Sequence, residues 1–407
     1  MAPLTDSPGL PPSVLRVSVS AFAAVGVALV ALSACQDPST VGLGLIDEDA
    51  SNPNLRVLAA TAVDTVGYEV STSGFANVSP VQSRVLVGSV ADPLYGDAES
   101  RAYIDAVAPT LPDGFEDNPV TGVTLELRRD YVYGDTTAVF PVELRQVTGA
   151  WAPVGLPSDT TLGTGDLLST TTVNARDSLT VFALPASWVT ANGALFTSES
   201  FSSTFEGFEL RAAPGSGAVL GFDVTPDADI SVLRVATAED TVEFRLSEVY
   251  SRLTRGTPGL APMGRRLLRA GSGEGLKASF SFASVLQLPL AQAVFRLPLD
   301  RSLAGAQGTF LRPLAPEVAL FATPTTGVPL FVTAIRTAGP GDARSAPAST
   351  ALTPLVQGIL LEQASYRQFE VRFQVSPLSL DVLPVALDGA TLETQPRFSL
   401  TVVGQST

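Results

Sequence analysis

The 407-residue chain contains no histidine and a single cysteine, Cys35. The absence of histidine excludes Ser-His-Asp and Cys-His catalysis. It also excludes zinc, copper or iron sites held by imidazole. One cysteine cannot form a disulfide within the chain, so packing must hold the fold. Lysine is nearly missing as well: Lys277 is the only one among 25 basic residues. Forty acidic residues outweigh these and leave a formal charge of −15, which argues against nucleic acid as a partner. There are two tryptophans. The chemistry left open is carboxylate catalysis, oxygen-ligated calcium, and binding without catalysis; no cofactor is expected.

What is present begins with Val17–Ala34, an apolar stretch of Ala, Val and Leu preceded by Arg16. A charged lead, an apolar middle and small residues at a cut are the layout of a secretory signal. The stretch just reaches the lower limit for a membrane span. The abrupt change at Cys35 to Gln-Asp-Pro-Ser-Thr favours cleavage instead. Leu32-Ser33-Ala34-Cys35 resembles the lipobox of bacterial lipoproteins. That resemblance implies removal of residues 1–34, with Leu32, Ser33 and Ala34 before the cut, and a diacylglycerol on the Cys35 thiol. By the same resemblance Gln36, rather than Asp, in second place implies the outer membrane; either face stays open. Acyl chains contribute about 0.8 kcal/mol per buried methylene, so a triacylated cysteine should hold the body on a membrane permanently. Removing residues 1–34 takes away one basic and one acidic residue and leaves the charge at −15. Residues 35–54, rich in Pro, Ser, Asp and Asn, read as a lipidated tether.

Beyond the tether the apolar period is two. Val123, Leu125 and Leu127 alternate with polar residues, as do Val242, Phe244 and Leu246. The same holds for Leu276, Ala278, Phe280 and Phe282, for Phe369, Val371, Phe373 and Val375, and for Phe398, Leu400 and Val402. Strands with one wet face carry this pattern. Gly/Pro clusters at 213–217 and 339–342 read as turns between them. One exception is the spacing Leu352, Leu355, Val356, Ile359 and Leu360, which predicts a short helix near 353–362, capped by Thr353 with Pro354 in its first turn. The expected fold is all-β: one or two tandem antiparallel β-sandwich, jelly-roll-like domains. Residues 55–250 and 273–407 would be the two modules, joined by the Gly/Pro/Arg-rich 251–272. Tandem duplication and a general likeness among sandwich strands explain the echo between the halves equally well.

Several segments also match a family pattern. Ser39–Ile46 follows the lipobox, and Leu86-Val-Gly-Ser-Val-Ala-Asp-Pro-Leu-Tyr-Gly-Asp97 contains Asp-Pro-x-[Phe/Tyr]-Gly. Val120–Leu127 precedes Tyr133-Gly-Asp-Thr-Thr137, and Ala291–Pro298 precedes Phe310-Leu-Arg-Pro-Leu314. These resemble the domain-of-unknown-function 4270 family, lipoproteins of the Bacteroidota and their relatives. The resemblance spans nearly the whole mature chain and departs from the pattern at 150–205. It implies a lipid-anchored all-β body and carries over no catalytic residues.

Few residues stand out as sites. Asp92, Tyr95 and Asp97 could form a ligand loop, but an Asx-Pro turn with Tyr95 packed beneath it explains them more simply. Asp223, Asp227 and Asp229 lack the spacing of a calcium loop and read as a solvated turn. Asp47, Glu48 and Asp49 form an acidic run within the tether; hydration explains most such runs, and this one also resembles surface-export signals of Bacteroidota lipoproteins. Arg245, Arg252, Arg255, Arg265, Arg266, Arg269 and Lys277 concentrate positive charge, which suits either an acidic partner or lipid phosphates, or the outer edge of a sheet. Gly271–Gly275 lacks the Lys-Ser/Thr of a phosphate loop and is expected as a turn. Trp151 and Trp188 suit core packing better than sugar stacking.

The expected function is that of a non-enzymatic outer-membrane lipoprotein, a protein-binding or envelope-assembly accessory with an envelope protein as partner. The alternatives are a cell-surface glycan-binding module for nutrient capture, and a carboxylate-only glycosidase. The last needs two acids about 5–9.5 Å apart.

Overall fold

The computed structural model describes residues 55–72, 82–225, 231–287, 289–324, 327–337, 343–345, 351–364, 366–374, 377–387 and 395–405. Residues 32–35, the tether, the acidic run 47–49, Asp227, Asp229, Val375 and the turn at 339–342 lie outside the described residues.

Alternation of apolar residues becomes strands with one dry face. Val123, Leu125, Leu127, Phe244, Leu276, Phe369 and Phe398 are all buried. In chain order the first strands are β1 (Leu55–Thr72), β2 (Arg84–Val90), β3 (Ala98–Val107), β4 (Gly122–Asp135), β5 (Val139–Val147), β6 (Thr164–Asn174), β7 (Leu179–Ala183), β8 (Phe208–Ala212), β9 (Ala218–Asp223), β10 (Val232–Ala236) and β11 (Thr241–Arg255). There follow β12 (Arg265–Arg269), β13 (Glu274–Phe280), β14 (Leu290–Leu297), β15 (Gly305–Gln307), β16 (Phe310–Arg312), β17 (Glu317–Pro324), β18 (Leu330–Arg336), β19 (Ala343–Ser345), β20 (Tyr366–Phe373), β21 (Val382–Ala386) and β22 (Arg397–Gln405). The protein is all-β and sandwich-like, with several antiparallel sheets and few short helices.

The larger sheet has twelve strands and runs β11-β10-β4-β9-β2-β3-β8-β5-β6, with β7, β15 and β16 off this path. Strand β11 is shared. Thr241–Arg245 pairs with β10, and Arg245–Arg255 pairs with β3 across a register shift between Leu246 and Val249. That double pairing turns the sheet back on itself and encloses a core of Leu125, Leu127, Phe208, Leu210, Phe222 and Phe244. The second assembly is a closed barrel, β1-β13-β20-β17-β18-β19-β14-β22. Closure leaves no free sheet edge to aggregate. Phe398 sits at its centre, with the rings of Phe280, Phe282, Phe295 and Phe369 at 4.8–5.6 Å. Strands β12 and β21 form a separate pair.

Residues Ala59–Val402 form one compact unit, in which the expected modules exchange strands. Strand β1 pairs with β13 over Thr65–Thr72, and β16 pairs with β4 at Phe310–Asp135 and Leu311–Gly134. The 251–272 segment is not a loose junction: it carries the end of β11 and all of β12.

Helices fill gaps. Ala186–Asn192 (α1) and Phe201–Thr204 (α2) lie in the stretch that the family pattern leaves unmatched. With the turn between them they bring Phe196, Phe201 and Phe205 into the sheet core. No 3.6-residue repeat announces them, because aromatic insertion rather than an apolar stripe holds them. The helix expected at 353–362 is Leu352–Leu360 (α3), and it buries Leu352, Val356, Ile359 and Leu360. Its N-cap is Ala351, which makes no side-chain cap. Thr353, expected in that role, instead accepts a hydrogen bond at Oγ1 from the Ala293 N–H of β14 (3.1 Å). Because the helix starts at Leu352, Thr353 lies past the cap position and its hydroxyl meets the strand instead. Glu362, at φ 58°, follows the end of the helix in the left-handed region.

Because Phe398 is surrounded by rings, Phe398→Ala should destabilise the protein by about 3–5 kcal/mol in urea unfolding. A loss below ~1 kcal/mol would mean that the barrel centre collapses around the gap.

Candidate functional site

The Asp-Pro-x-Tyr-Gly segment forms a tight turn after β2. Asp92 Oδ1 accepts hydrogen bonds from the Leu94 N–H (2.8 Å) and the Tyr95 N–H (3.1 Å). The Gly96 N–H returns to the Asp92 carbonyl (2.8 Å). This is the Asx turn expected from the sequence, and the Tyr95 side chain is buried beneath it. Asp92 itself is buried, and two distant segments meet on it. Arg312 of β16 donates Nε to Oδ2 (2.7 Å) and Nη2 to Oδ1 (3.0 Å). Tyr133 of β4 donates its hydroxyl to Oδ2 (2.7 Å). Five donors therefore occupy the carboxylate, and no lone pair is left for a metal. Burial pushes the Asp92 carboxyl up, but Arg312, Tyr133 and the two backbone N–H groups outweigh it and hold it below the usual range. Asp97 stays exposed, so the proposed ligand loop does not gather its two acids.

A second loop docks on this turn. Residues 256–264, between β11 and β12, donate the Gly256 N–H to the Asp97 carbonyl (2.7 Å) and the Gly259 N–H to the Leu94 carbonyl (3.1 Å). The contact leaves no room for side chains. A Cβ on Gly96, which has φ +78°, would lie 2.7 Å from the Gly256 and Thr257 carbonyl oxygens. A Cβ on Gly259 would overlap the Pro93 carbonyl. Arg269 clamps both pieces: Nη1 donates to the carbonyls of Tyr95 (3.1 Å) and Gly256 (2.6 Å), while Nη2 pairs with Glu274 (2.5 Å).

The basic concentration read from the sequence is thereby dispersed. Arg269 is buried in this clamp. Arg255 donates Nη2 to the carbonyls of Ala270 (2.8 Å) and Leu380 (3.1 Å), while its Nε and Nη1 are buried without a partner among the described residues. Burial lowers its hold on the proton. Arg265 pairs with Asp300 (2.8 Å), and Arg252 reaches the Asp159 carbonyl (3.2 Å). Arg245 and Arg266 are exposed. The geometry makes internal ties of Arg252, Arg255, Arg265 and Arg269, not a contact patch shared by all seven.

A cleft of about 310 Å³ is lined by Arg84, Tyr131, Pro313, Glu317, Phe373 and Asp381, among others. Burial raises the Asp381 carboxyl, and hydrogen bonds with Ser379 and Tyr131 only partly offset that. Arg84 is committed to Asp130 (2.6 Å) and lies 4.9 Å from the Tyr131 ring centroid. Glu317 accepts from Gln374 (2.5 Å). The cleft thus holds two carboxylates, each engaged by protein groups.

The remaining candidates are structural. Trp151 donates Nε1 to the Glu206 carbonyl (2.9 Å), and Trp188 donates to Gln146 (3.1 Å). Trp188 packs against Phe196 and Phe208. Trp151 packs against the Tyr103, Val147 and Tyr250 cluster, and both indoles are half-buried. Asp223 accepts from the N–H and hydroxyl of Thr225. Gly271–Gly273 is a turn leading into β13, as expected. Among the described residues, no cluster of three acidic ligands is placed to hold a metal, and no helix is long and apolar enough to cross a membrane.

Arg312, Tyr133 and Glu274 were not singled out as site residues by sequence, and Arg269 was read only as part of the basic concentration. Yet Asp92, Tyr133 and Arg312 each lie in a segment quoted for the family resemblance, and they meet in one buried cluster. That shared membership was the available signal. No known family model matches the chain, and no curated protein matches it.

Removing one partner of a buried pair strands the other charge. Arg312→Met should therefore cost about 3–5 kcal/mol in urea unfolding, and Asp92→Leu combined with Arg312→Met should recover much of that. A double variant as unstable as the two single variants combined would show that the pair is not the tie described here. A second test uses Asp105 of β3, whose carboxyl is pushed up to about 7 by burial and by Glu248 and Glu206. The folded value lies above the unfolded one, so the stability it contributes at low pH is lost as pH rises through about 7. Asp105→Asn should raise the melting temperature at about pH 8 and leave it nearly unchanged near pH 4. An equal shift at both pH values would contradict this.

Proposed function

We propose that the protein is a lipid-anchored outer-membrane lipoprotein whose β-rich body acts without catalysis, as a protein-binding or envelope-assembly accessory module. The observation that carries this reading is Cys35. The chain's only sulfhydryl stands directly after an apolar segment and Leu-Ser-Ala, where a lipobox places it. The acids and arginines of the body support a structural reading: those with the most perturbed surroundings bond to other protein groups.

The glycosidase alternative has one observation in its favour, since Glu317 and Asp381 line the same cleft. Their engagement with Gln374, and with Tyr131 and Ser379, weighs against it. The packing of half-buried Trp151 and Trp188 weighs against the glycan-binding alternative.

Expressed in a bacterial host with a lipoprotein pathway, the wild-type chain should partition with outer membranes and carry a lipid mass on Cys35. Cys35→Ala should remain unprocessed or leave the membrane fraction. Pulldown from detergent-solubilised membranes should enrich an envelope protein. Normal maturation of Cys35→Ala would remove the anchor, and recovery of a lone monomer would remove the accessory role.

A further inference from the structure

Leu260 and Met263 are 98% and 96% exposed. They lie in Gly256-Thr-Pro-Gly-Leu-Ala-Pro-Met-Gly264, nine residues without a charge. Two large apolar side chains so fully in water are unusual for a loop held this firmly. The loop's backbone is pinned at Gly256 and Gly259 onto the Asp92–Asp97 turn, at Gly256 again by Arg269, and at Gly264 by the Leu387 N–H (2.7 Å). The Arg265 N–H closes the far end on the Pro262 carbonyl (3.0 Å). Two prolines stiffen the span between. The side chains are thus presented on a rigid support, which lowers the ordering cost of binding.

We infer that the 256–264 loop is a membrane-contact tip, whose Leu260 and Met263 enter the apolar surface of the bilayer that Cys35 anchors. This deepens the proposed function and rests on its lipid anchor. A lipid occupant fits better than a protein. The tip has no aromatic or arginine to act as a hot spot, and leucine is under-represented among such anchors. Two aliphatic side chains cover far less than a standard protein interface of ~800 Å² per partner. A lipid surface needs no shape match. An anchor already holding the body nearby makes even a small insertion effective, because the second contact is intramolecular. Exposed Arg266 follows three residues after Met263, within reach of lipid phosphates. The net charge of −15 repels anionic surfaces, so the tip should favour zwitterionic lipid and depend little on salt.

Lipidation consumes the Cys35 thiol, so Met263→Cys in the mature lipidated protein carries the only free thiol and can take an environment-sensitive fluorophore. Val154→Cys, at another exposed site, is the control. Both proteins are reconstituted into phosphatidylcholine vesicles with or without brominated acyl chains and checked by flotation and circular dichroism. The Met263→Cys probe should shift to the blue and be quenched about threefold by brominated lipid, as expected for a tip ~5–10 Å into the interface. The Val154→Cys probe should not change. If both proteins float and the two probes behave alike, the tip assignment is overturned while the anchor stands. Failure to float overturns the anchor and this inference with it. A blue shift that requires added envelope protein assigns the loop to a protein partner and also overturns the inference.

Discussion

Asp92 is a carboxylate removed from water at the end of β2, and so much of the neighbouring structure turns on how its charge is met. Arg312 meets it with two parallel hydrogen bonds, Tyr133 with one and the turn's own backbone with two. A bidentate guanidinium is the strongest partner available to a buried carboxylate. It is also a demanding one, because the geometry must bring β16 alongside β4 and both against the turn. Residues more than two hundred positions apart are held at hydrogen-bonding distance by that demand. The pair need not add net stability over an apolar substitute. What it contributes is registration: the strands cannot slip without stranding a charge.

That registration reaches the surface through glycine. Gly96 and Gly259 allow two loops to touch backbone to backbone, and Arg269 spans the contact with carbonyl acceptors on each side. Glu274 in turn holds Arg269. The result is a chain of fixed contacts from a buried ion pair to an exposed apolar loop. Arg255, Arg265 and Arg269, which look like part of a binding patch, are the fasteners of this region. In a chain with one lysine the choice matters, since only the planar guanidinium can serve several carbonyls and a carboxylate at once.

The barrel is stabilised differently. Its interior is aromatic and aliphatic, with Phe398 at the centre and α3 packed on β14. Its buried charge lies on β20, where Glu370 pairs with Arg372 (2.5 Å). The strand alternation that fills this core was readable position by position, because the side-chain period of two reports burial directly. The helix was readable for the same reason at period 3.6, apart from its cap. Thr353 has the chemistry of a cap, but the helix begins one residue before it, and its hydroxyl accepts from the Ala293 N–H of a neighbouring strand that no local rule contains. The helices α1 and α2 were not legible, because rings that reach into a core formed by other strands hold them in place. Strand exchange between the expected modules was invisible for a related reason: β1 and β16 are ordinary alternating segments, and alternation names a face and not a partner.

Local chemistry determined the all-β class, the dry face of each strand, the Asx turn at Asp92 with Tyr95 beneath it, and the signature around Cys35. These depend on residues within a few positions of one another. Only the tertiary structure decided that β11 serves two neighbours, that the C-terminal strands close into a barrel with β1, that Asp92 finds Arg312, and that Leu260 and Met263 are left in water while other apolar residues are covered. Each of those is settled by which distant surfaces meet. A linear pattern records what a residue would bury or pair, but the cost of closing a long loop and the fit of a remote partner decide whether it does.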